Sequence, residues 1–170
     1  MKKLLIVLSL FVSLQLVAQK TVGITESFTV EGSVKQPMTF SLKDMALLAV
    51  KEKDSIVITN HLLERKSALK DIQFVLLKDL LSKVSIDQDN PKLLSEYYLV
   101  CIAADNYKVV FSWNEIFNNE TGNNIGIITG YNEKTGSTMD NRIALISFSD
   151  KATGRRYVKG LQKIIIKRVE

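Results

Sequence analysis

Residues 97–113 read YYLVCIAADNYKVVFSW, and this stretch decides the fold. Two runs rich in β-branched and aromatic residues, 97–104 and 107–113, flank Asp105 and Asn106. Such side chains favour strands, whereas Asp and Asn tolerate the backbone angles of a tight turn between strands. The stretch therefore predicts a β-hairpin, and the almost unbroken apolar run of its first half predicts a buried strand.

Outward from this hairpin, the sequence predicts further short strands. Alternating or β-branched runs bounded by turn residues occur at 28–34, 55–60, 125–131, 142–148 and 161–169. The segment 61–71 is polar and rich in charged residues, so we predict that it forms an excursion between two regular elements.

Short helices are predicted between the strands. Ser41 and Ser112 are each followed three residues later by an acidic residue, Asp44 and Glu115, as in a capping box. Residues 76–84 carry apolar side chains at helical spacing. Together these elements predict an α+β domain, in which a strand-dominated mixed sheet is accompanied by two or three short helices.

The N-terminus is typical of a secretory signal peptide. Two lysines precede an apolar run at 4–14, and Ala18 offers a small residue before a cleavage point. The run is too short for a comfortable membrane span, which needs about 20 apolar residues. We expect residues 1–18 to be removed and residues 19–170 to form a single exported domain, periplasmic or secreted, without a stable membrane span. An uncleaved anchor helix is the alternative.

Charge and composition exclude several classes of protein. The full chain has a formal net charge of +5, and without the two leader lysines its 23 Lys plus Arg become 21 against 18 Asp plus Glu, a net charge of +3. This mild, scattered excess makes nucleic-acid binding a poor explanation of an exported chain. Cys101 and His61 are the only residues of their kinds, which excludes an internal disulfide and a zinc or haem site built from several such ligands.

Four segments occur in the order found in the oxidoreductase molybdopterin-binding domain family, the fold of sulfite oxidase and its short bacterial relatives. They are the strand and helix entry at 30–44, VLLKDLL at 75–81, ADNY at 104–107 and GRRYVKGL at 154–161. Asn106 stands where the family has glycine, a mild change because both residues visit the left-handed region. Over nearly all of the mature chain, the sequence resembles a short exported bacterial member of this family.

The resemblance implies a cofactor pocket without its usual metal ligand. In catalytic members a cysteine thiolate near the third strand coordinates molybdenum, and the terminal Arg/Lys segment helps to hold the pterin phosphate. The matching residues 57–61 contain no cysteine, and threonine or asparagine oxygens replace a thiolate poorly. Cys101 lies on a different strand, where a small buried core residue is the favoured interpretation. Molybdopterin is therefore a candidate cofactor through the resemblance alone, and no metal ligand is predicted.

Five residues are candidates for binding a cofactor or another anion. Arg156 and Lys159 offer a planar fork and a point charge for a phosphate group. Asn60, His61 and Asp105 are candidates for the walls of the same pocket. The alternatives are ordinary surface roles: solvated charges, an exposed loop histidine and an aspartate that bonds its own turn.

The sequence favours an exported molybdopterin-binding-fold protein, non-catalytic or degenerate, that binds a small anionic ligand or a partner protein. A molybdopterin-dependent oxidoreductase, or the accessory subunit of one, is the alternative. A structural envelope protein with a closed pocket is the second alternative. Convergent basic groups in a concave site would distinguish a ligand-binding protein from a purely structural one.

Overall fold

The computed structural model describes residues 23–170, so the predicted signal peptide and its cleavage point lie outside the described residues. Within this range the strands are β1 (Ser27–Gly32), β2 (Met38–Ser41), β3 (Val50–Thr59), β4 (Arg65–Leu76), β5 (Tyr97–Ala103), β6 (Lys108–Ser112), β7 (Ile125–Tyr131), β8 (Lys134–Thr135), β9 (Ala144–Ser147), β10 (Tyr157–Val158) and β11 (Leu161–Arg168). The α-helices are α1 (Leu42–Met45), α2 (Leu77–Leu81) and α3 (Trp113–Phe117). None of the helices in residues 23–170 has the length and apolar character needed to cross a membrane.

The strands form two sheets. The first sheet has the order β2-β1-β11-β5-β6, and the second has the order β10-β9-β7-β4-β3 with β8 paired to β7. β1 and β11 run parallel, whereas the other neighbours are antiparallel. The prediction of a strand-dominated α+β domain with a mixed sheet and a few short helices is confirmed.

Two clusters of buried apolar side chains stabilise these sheets. The larger cluster joins Leu99 and Ile164 of the first sheet to Ile127 of the second, and α2 adds Leu77. Successive side chains of a strand point to opposite faces, so Ile128 of β7 enters a second cluster on the other face of the second sheet. Burying one such side chain contributes about 1.5–3 kcal/mol relative to leaving it exposed.

The hairpin predicted from residues 97–113 is present. β5 and β6 pair in antiparallel register, and the turn between them is closed by a 2.9 Å hydrogen bond from the Ala103 amide to the Tyr107 carbonyl oxygen. Of the two turn residues Asp105 and Asn106, only Asn106 has a positive φ, 70°. Asparagine suits this position because its short polar side chain tolerates the left-handed conformation.

Both predicted capping boxes are present. Ser41 Oγ accepts from the Asp44 amide while the Asp44 carboxylate accepts from the Ser41 amide, and Ser112 and Glu115 form the same pair of bonds. These bonds satisfy amides that the first turn of a helix leaves without partners. The helix predicted at 76–84 is shorter, because after α2 the chain continues in turns with bonds to the third residue back.

The prediction of a polar excursion at 61–71 is wrong, because most of this segment belongs to a strand. β4 begins at Arg65 and pairs antiparallel with β3, so only residues 60–64 form the connecting turn. Leu69 and Ile72 are buried, whereas the charged side chains between them are exposed. A strand with one solvent face carries polar residues at alternate positions, and in the sequence such a strand is easily taken for a loop.

Candidate functional site

The loop after β9 closes against the end of β3. Thr153 Oγ1 donates to the Val57 carbonyl oxygen at 2.7 Å and accepts from the Thr59 amide at 2.9 Å. Gly154 lies so close that a Cβ atom added there would be 2.5 Å from the Thr59 carbonyl oxygen. Glycine is therefore required for the loop to approach the strand this closely. These contacts hold the segment 154–161 beside the residues that match the family's metal-ligand position.

The turn between β5 and β6 lies at the same end of the molecule. The Tyr107 hydroxyl donates to the Arg155 carbonyl oxygen, and the Ala104 amide donates to the Gly160 carbonyl oxygen at 2.8 Å. Asp105 accepts from the Tyr107 amide at 3.0 Å, as an aspartate does when it stabilises its own turn. The hairpin turn is thus fastened to the segment that precedes β11.

Three segments, 59–61, 105–107 and 150–159, therefore meet at one end of the molecule, and we call them the rim. The rim contains all five residues that the sequence singled out for cofactor or anion binding. The contacts within it are mainly hydrogen bonds from one segment of the chain to another. Whether each of the five side chains is available to a ligand depends on its hydrogen bonds and ion pairs within the protein.

Arg156 is held between two carboxylates. Its Nε and Nη2 atoms donate to the two carboxylate oxygens of Asp150 at 2.8 and 2.7 Å, and its Nη1 atom donates to Glu115 Oε1 at 2.9 Å. The guanidinium carbon lies 4.4 Å from the centroid of the Phe111 ring, and 23% of the side chain is exposed. The resemblance assigns the Arg156 guanidinium to a phosphate, but here this group connects the rim to β6 through Phe111 and to α3 through Glu115. We call Arg156, Asp150 and Glu115 the arginine clamp.

Both carboxylates of the arginine clamp are stabilised as anions. Burial acts to raise the pKa of Asp150, but hydrogen bonds from Arg156 and Ser147 outweigh burial and hold this pKa below its ordinary value. Burial also acts to raise the pKa of Glu115, and bonds from the Ser112 amide and Arg156 outweigh it and lower this pKa. The hydrogen bond to Asp150 raises the pKa of Arg156 in turn. The positive charge of Arg156 is therefore balanced inside the protein.

The other candidate residues differ in exposure and in their hydrogen-bond partners. Asn60 stabilises the β3–β4 turn, since its Oδ1 atom accepts from the amides of Leu62 and Glu64 at 3.0 Å each. His61 is exposed in the same turn. Lys159 is half-buried, with its Nζ atom 5.3 Å from the centroid of the Tyr157 ring. Binding roles for all five candidate residues, Arg156 and Asp105 included, stay predictions.

Residues 57–61, which the resemblance aligns with the metal-ligand position of the family, do not fit a thiolate-bound molybdenum centre. Thr59 offers a hydroxyl oxygen, which lies 3.4 Å from both the Lys151 carbonyl oxygen and Thr153 Oγ1. Cys101 is fully buried on the inner face of β5, where burial raises its thiol pKa to about 12. Neither a hydroxyl oxygen nor a protonated thiol supplies a soft anionic ligand. Within residues 23–170, no group of three or more His, Cys, Asp or Glu side chains is arranged to hold a metal ion.

Sequence reasoning missed Asp150 and assigned to Glu115 only a role in capping α3. Glu115 does both, because its Oε2 atom accepts from the Ser112 amide while its Oε1 atom accepts from Arg156. Asp150 lies six residues before Arg156, a spacing that brings side chains together in neither a helix nor a strand. The sequence therefore carried no local signal for this part of the arginine clamp.

Comparison with solved structures finds a likeness to the crystal structure of the sulfane dehydrogenase SoxCD from Paracoccus pantotrophus. The two chains are 13% identical with a TM-score of 0.60, and the match covers 88% of this chain and 41% of that chain. This chain thus spans less than half the length of the chain that it matches. Neither a protein-family model nor a curated protein matches the sequence. The likeness shows a shared strand-rich α+β fold and supports, in coarse outline, a molybdopterin-binding type of fold.

Replacing Arg156 with Ala should lower the free energy of unfolding by about 2 kcal/mol, because the largely buried Asp150 carboxylate loses charge-assisted hydrogen bonds. Arg156→Lys should be intermediate, since lysine keeps the charge without the fork. Urea denaturation measures both effects. The matched control is Arg155→Ala at the exposed neighbouring position, and equal losses in the two alanine variants would contradict a role specific to Arg156.

The free energy of unfolding should fall in acid, because Asp150 and Glu115 of the arginine clamp become protonated. The pKa values of Asp150 and Glu115 are lowered by folding, so their contribution is complete above the unfolded-state values of about 4 and is lost as pH falls through the lower folded-state values. Urea unfolding at a series of pH values from neutral to strongly acidic measures this. Asp150→Asn should be less stable near neutrality and lose less on acidification. Parallel curves for the two proteins would rule out this source of acid sensitivity.

Cys101 should be unreactive in the native protein, because its thiol is fully buried and its pKa is raised to about 12. Iodoacetamide at mildly alkaline pH should leave the folded chain unmodified and alkylate it completely in urea. Mass spectrometry of the intact protein measures the reaction. Equal labelling rates with and without urea would show that the thiol is accessible.

Proposed function

We propose that this protein is an exported, non-catalytic member of the molybdopterin-binding fold that acts by binding a partner protein. The observation that carries the proposal is the arginine clamp: the cation best suited to a pterin phosphate is already bonded to Asp150 and Glu115. A phosphate would have to displace two partly desolvated carboxylates that are already hydrogen-bonded to Arg156. The Arg156 guanidinium therefore stabilises the fold and is poorly available to a cofactor phosphate.

The end of β3 supports the same proposal. Where the family resemblance calls for a soft thiolate, Thr59 is bonded through its amide to Thr153. The loop that carries Thr153 fills the space at the strand end, and Gly154 brings it into close contact with Thr59. The likeness to SoxCD concerns the fold alone, so the function of the rim is argued from its own residues.

A small anionic ligand on the rim is the second candidate. Lys151 and Arg155 are exposed, and neither forms an ion pair within residues 23–170. With Lys159 and His61, they give one end of the molecule several positive or titratable side chains outside the arginine clamp. Such a group favours weak binding of a phosphate or carboxylate.

Protein purified from its native host should contain molybdenum only at the level of an unrelated control protein from the same preparation, because the rim lacks a thiolate ligand. Elemental analysis by mass spectrometry measures the metal, and fluorescence of oxidised pterin measures the cofactor. Stoichiometric molybdenum and pterin would contradict the proposal. That result would favour a molybdopterin-dependent oxidoreductase, or the accessory subunit of one.

A further inference from the structure

The centre of the face of the first sheet that points away from the core is apolar. In β5, Leu99 and Cys101 enter the core, so Tyr98, Val100 and Ile102 lie on the opposite face. All three side chains are half-buried and reach the surface. An antiparallel sheet with one solvated face normally alternates apolar and polar residues, and β5 carries an apolar residue at each of these outward positions.

Neighbouring strands extend this apolar surface. Val100 lies opposite Ile165 of β11 on one side and opposite Val110 of β6 on the other, which makes an apolar row across three strands. β6 is the edge strand of the sheet, and Val110 is 52% exposed. We call Tyr98, Val100, Ile102, Val110 and Ile165 the outer patch.

Lysines lie at both ends of the outer patch, and Glu31 of β1 lies opposite Ile165 at its side. Lys163 and Lys108 lie on either side of Ile102 in the next strands, and Lys167 lies opposite Tyr98. Lys163 forms a 2.9 Å ion pair with Glu31, which leaves the charge of the margin positive. An apolar centre with a charged margin is the arrangement of a protein interface, in which the margin selects the partner.

An open cleft of about 610 Å³ adjoins the outer patch. Tyr98, Ile165 and Lys167 belong both to the patch or its margin and to the lining of the cleft, which Gly32 and Val169 extend. Gly32 has a positive φ of 97°, a conformation that favours glycine and leaves this corner without a side chain. The cleft gives the flat face a concave end that a protruding side chain of a partner can enter.

We infer that the outer patch docks a partner protein whose contact surface has an apolar centre and a margin of carboxylates. The inference rests on the proposed function and names the surface and the chemistry of the partner. A second copy stacked face to face would bring the lysine margins toward each other, which opposes self-association. A lipid surface fits less well, because insertion needs side chains that protrude into the headgroup region and most of this patch is flat and half-buried.

The size of the patch indicates the strength of binding. Three strands about 4.8 Å apart and five residues at about 3.4 Å each span roughly 10 Å by 15 Å. A stable interface buries about 800 Å² on each partner. The partner therefore has to reach into the cleft and over the lysine margin, and the complex is of the transient kind.

Photo-crosslinking in the native host tests the surface. The crosslinking residue p-benzoylphenylalanine replaces Val110 on the outer patch, which is 52% exposed. Two controls of similar exposure carry it at Val50 on the second sheet, 47% exposed, and at Tyr107 on the rim, 41% exposed. The variant with the crosslinker at position 110 should form a crosslink to one acidic protein. This crosslink should be absent from the variants at positions 50 and 107. Mass spectrometry identifies the crosslinked species.

Binding of that protein in purified form tests the chemistry. Lys108→Glu combined with Lys167→Glu should weaken binding by about ten-fold, and added salt should weaken wild-type binding, because the margin acts through its charge. The matched control is Lys92→Glu, an exposed lysine outside the outer patch and its margin. Circular dichroism checks that each variant is folded.

The inference would be overturned by equal crosslinks from Val110 and Val50, by a crosslink to a second copy, or by a crosslink to lipid with binding to phosphatidylglycerol vesicles. Full affinity in the double lysine variant would overturn it as well. A crosslink from Tyr107 alone would also overturn it and would leave the proposed function standing, with the rim as the binding surface. The metal analysis decides the proposed function separately, whatever the crosslinks show.

Discussion

The charge of Arg156 is balanced by Asp150 and Glu115 inside the protein, and the rim depends on this arrangement. The clamp joins the loop after β9 to the capped start of α3, and Phe111 packs under the guanidinium. A cation in this position satisfies two partly desolvated carboxylates, each of which would be destabilising without it. The same three charges therefore fix the geometry of the rim and reduce its attraction for an external anion.

A second constraint concerns the end of β3. Its outward amide and carbonyl groups would form an open strand edge, and Thr153 satisfies them with one hydroxyl. The loop that provides this hydroxyl also brings Gly154 into close contact with the Thr59 carbonyl oxygen. One local structure thus protects the strand edge and fixes the loop against the end of β3.

The fold of this protein does not define its function. The likeness to SoxCD covers most of this chain but less than half of the other, and a shared fold supports many different activities. The two faces of the first sheet illustrate the difference. The inner face of β5 contributes to the core that any member of the fold needs, whereas the outer face carries apolar side chains that the fold itself does not require.

The sequence by itself determined the features that depend on neighbouring residues. The β5–β6 hairpin, its Asp105–Asn106 turn and both capping boxes follow from side chains within a few positions of one another, because their hydrogen bonds close within a few residues. Only the tertiary structure decided how distant segments pair. Thr153 meets Thr59 across 94 residues and Arg156 meets Glu115 across 41, contacts that exist because the sheets pack and that leave no periodic trace in the sequence. The strand nature of 65–71 was hidden for a related reason: its charged residues occupy solvent positions that only pairing with β3 defines.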